Sequence, residues 1–107
     1  MVEMENTHIG QMPPQAIDLE EAVLGALLLD RDAYSEIASI IDVPTFYKKE
    51  NQFVFAAIKN LVAKNQPIDI LIVTEELRKQ GTLEDVGGPV YIAQLISRVA
   101  SAAHIEK

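Results

Sequence analysis

Lys49-Glu50-Asn51-Gln52-Phe53-Val54-Phe55-Ala56-Ala57-Ile58-Lys59-Asn60-Leu61-Val62-Ala63-Lys64 decides the fold class. Phe53, Ala57 and Leu61 form one row at helical spacing, and Val54, Ile58 and Val62 form the adjacent one. Together they make an apolar face more than about 100° wide, the width a helix needs to cover a core. Asn65-Gln66-Pro67 breaks the pattern. Phe46 and Tyr47 lead into it as a short aromatic link. Phe46 and Phe53, seven apart, read as packing on one side of the core.

Downstream, Asp69 has the place of a cap for a helix through Val73 and Leu77. Gly81 stands where the left-handed residue after a helix belongs. Ile68 to Val73 alone could be a buried strand, but no segment of comparable β character exists to pair with it, so helix is favoured. Gly87-Gly88 makes a turn, and Pro89 suits the first turn of a helix carrying Val90, Tyr91, Leu95, Ile96 and Val99. A new helical segment is expected near Ser101.

Upstream, Asp18 and Glu21 have the spacing of a capping box for a helix over Leu19 to Leu29. Asp30 and Asp32 compete to cap a second helix, whose stripe is Tyr34, Ile37, Ala38 and Ile41, and Pro44 ends it. Residues 1–13 read as a flexible polar tail, 14–100 as a helical domain, and 101–107 as the start of a further helix. The expected class is all-α, a compact bundle of about six short helices.

Composition narrows the function. The 107 residues are 49% hydrophobic and 23% charged, which suits one soluble globular domain. A chain this short buries roughly 60–65% of its unfolded surface, enough for one core. With no cysteine, thiolate chemistry and disulfides are excluded. No apolar run is long enough to span a bilayer, and the acidic start Met1-Val2-Glu3-Met4-Glu5 is unlike a secretory signal, so cytoplasm is the expected compartment. Of the net charge of −7, residues 1–47 carry nine acids and a single base, Arg31. Such a balance disfavours autonomous binding to DNA or RNA and attracts a partner with a basic surface.

The chain offers little for catalysis. A phosphate-cradling loop needs glycines leading to Gly-Lys-Ser/Thr, and no lysine follows any of the five glycines. His8 and His104 sit at opposite ends, so a helical zinc site with two histidines one turn apart is not available. Adjacent Glu20 and Glu21 diverge by about 100° on a helix, so they read as first-turn and capping acids rather than an acid/base pair. No catalytic, cofactor or metal residue is assigned. Lys48-Lys49 opens a helix, where the macrodipole disfavours cations, so the pair is a candidate for protein contact.

In order along residues 13–105, several motifs resemble one family. They are Pro13-Pro14, Glu20-Glu21-Ala22-Val23-Leu24-Gly25, Phe46-Tyr47, Phe53-Val54-Phe55-Ala56-Ala57-Ile58 and Pro67-Ile68-Asp69. Leu77, Gly81-Thr82-Leu83, Val86-Gly87-Gly88 and Tyr91-Ile92-Ala93-Gln94-Leu95 follow. Their sequence is similar to the N-terminal domain of the bacterial replicative DNA helicases of the DnaB type. Gly25 then lets helices approach closely. Ser101-Ala102-Ala103-His104 departs from the family's usual pattern near the end of this domain.

The resemblance implies a helical domain that precedes a linker and a RecA-like ATPase domain. Unwinding, ATP, magnesium and DNA contact would belong to that second domain, and the present 107 residues would not be an enzyme. It implies self-association within a hexamer and contacts with primase and a helicase loader. A helical hairpin beginning near Ser101 would pair with its copy, which makes Ala102, Ala103, His104 and Ile105 further candidate contact residues. A free-standing helicase-associated adaptor with the same fold is the alternative.

Overall fold

The computed structural model describes the chain from Pro14 to Ile105, with side-chain surroundings from Ala16 to Val99. Among the described residues there are five α-helices, two single 3₁₀ turns and no strand. The helices are α1 (Pro14–Leu29), α2 (Tyr34–Ala38), α3 (Lys49–Ala63), α4 (Ile70–Gln80) and α5 (Pro89–Ile105). The all-α expectation holds, with one α-helix fewer than anticipated.

Helix α1 begins at Pro14, ahead of the expected start at Leu19. Proline is tolerated in a first turn because its missing amide would have had no intrahelical partner. Asp18 and Glu21 are therefore interior residues, and the expected capping box does not form. Leu24, Leu27 and Leu28 point into the core.

Asp30 wins the competition with Asp32. Its side chain accepts the Asp32 amide at 3.0 Å and caps the turn Arg31–Ala33, which runs into α2. Helix α2 stops at Ala38, short of Ile41, where the Ile37 carbonyl takes both the Ile40 and Ile41 amides. Asp42 and Thr45 then cap each other's amides around the turn Val43–Thr45, which contains Pro44.

Helix α3 spans the expected stretch. Its buried face is Asn51, Val54, Phe55, Ala57, Ile58 and Leu61, while Phe53 and Val62 are half-buried at its margin. Phe46 is buried but precedes the helix, so its spacing from Phe53 is not a helical one. Its ring partner is Phe55, with centroids 5.1 Å apart. Helix α4 is bounded as its sequence predicts: the Asp69 side chain accepts the Ile72 amide at 2.9 Å, and Gly81 closes it at φ 77°.

Helix α5 runs without a break from Pro89 to Ile105, so no new segment begins at Ser101. Nothing from Arg98 to Ala103 is a glycine or proline that would interrupt it. The core gathers Leu24, Leu27, Phe55, Ile58, Leu77 and Leu95 from α1, α3, α4 and α5. The largest interhelix contact is between α1 and α5. Among the described residues no helix is long and apolar enough to cross a membrane.

Candidate protein-contact surfaces

Lys48 and Lys49 stand side by side in sequence but face different surroundings. Lys48 is the residue before α3, and it offers no side-chain cap to that helix. Its ammonium lies 3.0 Å from the Glu21 carboxylate and 5.0 Å from the centroid of the Tyr91 ring. An ion pair and a cation–π contact hold it against α1 and α5. Lys49 begins α3 and is exposed.

The cap that Lys48 lacks is supplied by another helix. The Glu20 carboxylate, from α1, accepts the Tyr47 amide at 2.5 Å, the Lys48 amide at 3.3 Å and the Asn51 side-chain amide at 2.9 Å. A carboxylate at this position satisfies orphan amides and favours the positive end of α3. The unfavourable lysines at the helix start are thus offset by an acid from elsewhere in the chain.

Glu21 is buried and joins three groups. Lys48 meets one oxygen, the Arg98 Nε lies 3.1 Å from the other, and the Tyr91 hydroxyl is 3.2 Å away. The single proton of the Tyr91 hydroxyl is shared between Glu21 and the nearer Asn51 Oδ1. Burial, and then the Glu21 charge beside it, pushes the Tyr91 hydroxyl above its ordinary range, so it remains a neutral donor. Asn51 is 0% exposed and is bonded to both Glu20 and Tyr91. The cluster ties α1, the start of α3 and α5 together.

A second polar tie joins α3 to α4. Buried Glu76 accepts from Asn60 at 2.5 Å, Gln80 at 3.0 Å and Lys64 at 3.3 Å. The Asn60 hydrogen bond, first among these, holds the Glu76 carboxyl below the usual carboxylate value of 4.5.

The structure does not bring the two groups of candidate residues together. Lys48 sits over Tyr91 near the start of α5, whereas Ala102, Ala103, His104 and Ile105 form its last turns. Those positions are separated by about 20 Å along the helix axis at 1.5 Å per residue. The side chains of Ala102 to Ile105 lie outside the described residues. Glu20, Asn51, Tyr91 and Arg98 went unrecognised as a cluster in the sequence. The available signal was Asn51, an amide on the core stripe of α3, where a buried polar side chain must find partners.

The helical bundle agrees with the comparisons with known proteins. The sequence profile of the DnaB-like helicase N terminal domain matches residues 12–107. The chain belongs to that family. It is 45% identical over 97 residues to the replicative DNA helicase DnaB of Rhodothermus marinus, covering 91% of this chain and 10% of that protein. It is 40% identical over 97 residues to the Treponema pallidum (strain Nichols) replicative DNA helicase DnaB, covering 91% of this chain and 22% of the other. The chain therefore spans about a tenth to a fifth of the length of these relatives. The crystal structure of the N-terminal domain of DnaB helicase from Mycobacterium tuberculosis superposes with a TM-score of 0.78 at 36% identity. That match covers 82% of this chain and 61% of the other.

In this member of the family, Gly25 has the role of a close-approach residue. A Cβ built on it would stand 2.3 Å from the Leu95 carbonyl oxygen.

Proposed function

We propose that the chain is the N-terminal oligomerisation and partner-docking part of a hexameric replicative DNA helicase, with primase and a helicase loader as partners, in the cytoplasm. The match of residues 12–107 to the family carries this reading. The polar ties among α1, α3, α4 and α5 support it, because a docking module needs a rigid frame rather than a reactive centre.

ATP and magnesium would belong to an ATPase domain outside these residues. The residues here do not fit them. The Gly87-Gly88 turn follows Glu84 and Asp85, whose charge repels phosphate, and Pro89 stands where a phosphate-binding lysine would be needed. Among the described residues no group of three or more acids and histidines converges to hold a metal ion.

The test begins with the reading frame that carries these residues. A phosphate-binding loop downstream is expected. The protein of that frame should form hexamers that hydrolyse ATP and unwind DNA, and removal of residues 14–105 should weaken the ring and abolish stimulation by primase. A stop codon directly after Lys107 would instead favour the free-standing adaptor.

A further inference from the structure

An apolar groove is lined by residues of the acidic first half of the sequence. Leu19 and Val23 of α1 form one wall, and Ile41 and Phe46, from the segment between α2 and α3, form the other. Its volume is about 220 Å³. Leu19 is 66% exposed there, the reverse of what a leucine contributes when it serves only its own core. Glu20 also borders the groove, but its carboxylate is engaged by the Tyr47 and Lys48 amides. Small-molecule sites enclose roughly 300–1,000 Å³, so this groove is too small and open for one. It suits anchor side chains of a helix laid across it, at i and i+3 or i+4.

Charge selects the occupant. Every wall residue comes from the acidic first half of the sequence. Bases from later elements answer part of that charge: Lys48 and Arg98 meet Glu21, Arg98 reaches Asp18, and Lys59 meets Asp42. Asp30, Asp32 and Glu36 remain exposed with no ion pair among the described residues. Asp30 lies about 10 Å beyond Val23 along α1 at 1.5 Å per residue. That distance is comparable to the Debye length of about 8–10 Å in physiological salt, so a charge seated on the groove feels Asp30. Asp32 and Glu36 follow it in residues 30–36, the link between the two walls, with Arg31 the one base among them. A second copy of the chain would bring the same acidic segment against itself, which opposes homotypic contact here.

We propose that the groove receives an amphipathic helix of a partner protein, with apolar anchors against Leu19, Val23, Ile41 and Phe46 and lysine or arginine directed toward the exposed acids of residues 30–36, the link that joins the two walls. The proposal rests on the docking role above and names the face and the chemistry of the partner.

The probe is a fluorescein-labelled helical peptide of leucine and lysine, read by anisotropy against the 107-residue chain. Two peptides accompany it: one with glutamate in place of lysine, and one of the same composition with the apolar stripe scrambled. The leucine/lysine helix should bind with Kd tighter than about 100 μM, and both others at least about tenfold more weakly. Leu19→Glu should weaken binding about tenfold although it adds an acid, which separates seating in the groove from plain charge attraction. The double variant Asp32→Lys/Glu36→Lys should weaken it similarly and flatten its salt dependence. Leu71→Glu, at a leucine 76% exposed on α4, should change nothing.

Equal binding by the Leu19→Glu variant, equal binding of the glutamate peptide, or no binding of the lysine peptide would overturn the proposal. So would a concentration-dependent dimer that Leu19→Glu abolishes, because a second copy would then occupy the groove. Ring assembly of the longer frame, read separately by light scattering, distinguishes the two levels. Intact assembly without peptide binding defeats only the groove, and peptide binding without assembly defeats only the helicase reading.

Discussion

The Gly25 Cα of α1 faces the backbone carbonyl of Leu95 on α5 so closely that a Cβ there would lie 2.3 Å from the oxygen and 2.6 Å from Val99 Cγ2. The oxygen belongs to helix backbone and cannot swing aside. On an exposed helix face, glycine to alanine stabilises by up to about 1 kcal/mol. Here the sign reverses. Gly25→Ala should destabilise the chain by about 1–3 kcal/mol as α1 and α5 are forced apart. Urea denaturation checks it, and a raised midpoint would mean that the helices do not cross at this residue.

Leu24, Ile58 and Leu95 lie on three helices of one core and are almost wholly buried. Truncating any of them to alanine should cost about 2–5 kcal/mol, the range for leaving a cavity. Glu36→Ala, on an exposed face, should cost under about 0.5 kcal/mol. Equal losses at both kinds of site in the same denaturation series would contradict the assigned helix phases.

Glu20→Ala removes the cap of a helix to which Glu20 does not belong. The loss should be about 0.5–2 kcal/mol, as for a local cap. Glu20→Gln, which keeps an acceptor oxygen, should retain part of the stability. Hydrogen exchange at the Tyr47 and Lys48 amides should quicken in the alanine variant, and unchanged protection would rule out the cap.

Acid should loosen the contact between α3 and α4. The folded-state pKa of Glu76 lies below its ordinary 4.5, so the folded chain binds this proton less tightly than the unfolded chain. Its stabilisation is present above about pH 4.5 and is lost as pH falls through the folded value. Glu76→Gln should reduce the slope of stability against pH in that window. At the alkaline end the direction is opposite. Tyr91 is raised from 10.0, so its contribution is present below that value and fades as pH rises beyond it.

The 107-residue chain should be monomeric at micromolar concentration. Beyond Ala100 its apolar side chains are Ala102, Ala103 and Ile105. At about 25 cal/mol per Å² they supply a few kcal/mol at most. Association costs an estimated 4–15 kcal/mol in lost freedom. Light scattering checks this: a stable dimer or hexamer of these residues would place the main interface on the bundle itself.

What could be read from residue order alone was local. The stripe of α3, the Asp69 cap and the Gly81 stop of α4, and the turn before Pro89 all involve residues within about one helical turn of each other, where backbone geometry fixes who meets whom. Gly25 was legible as a close-approach residue, but only through resemblance to the family. Local rules also misled where two readings fit. Asp18 and Glu21 have capping-box spacing, yet α1 began earlier at Pro14 and carried both acids into its interior. The tertiary structure decided the rest. Glu20 caps α3 from 27 residues away, Tyr91 reaches Glu21 across 70, and Arg98 reaches Asp18 across 80. The groove, too, exists only because the segment carrying Ile41 and Phe46 folds back beside Leu19 and Val23. Such pairings have no period in the sequence; they arise when apolar burial packs the helices and each buried polar group must then find a partner across the interface.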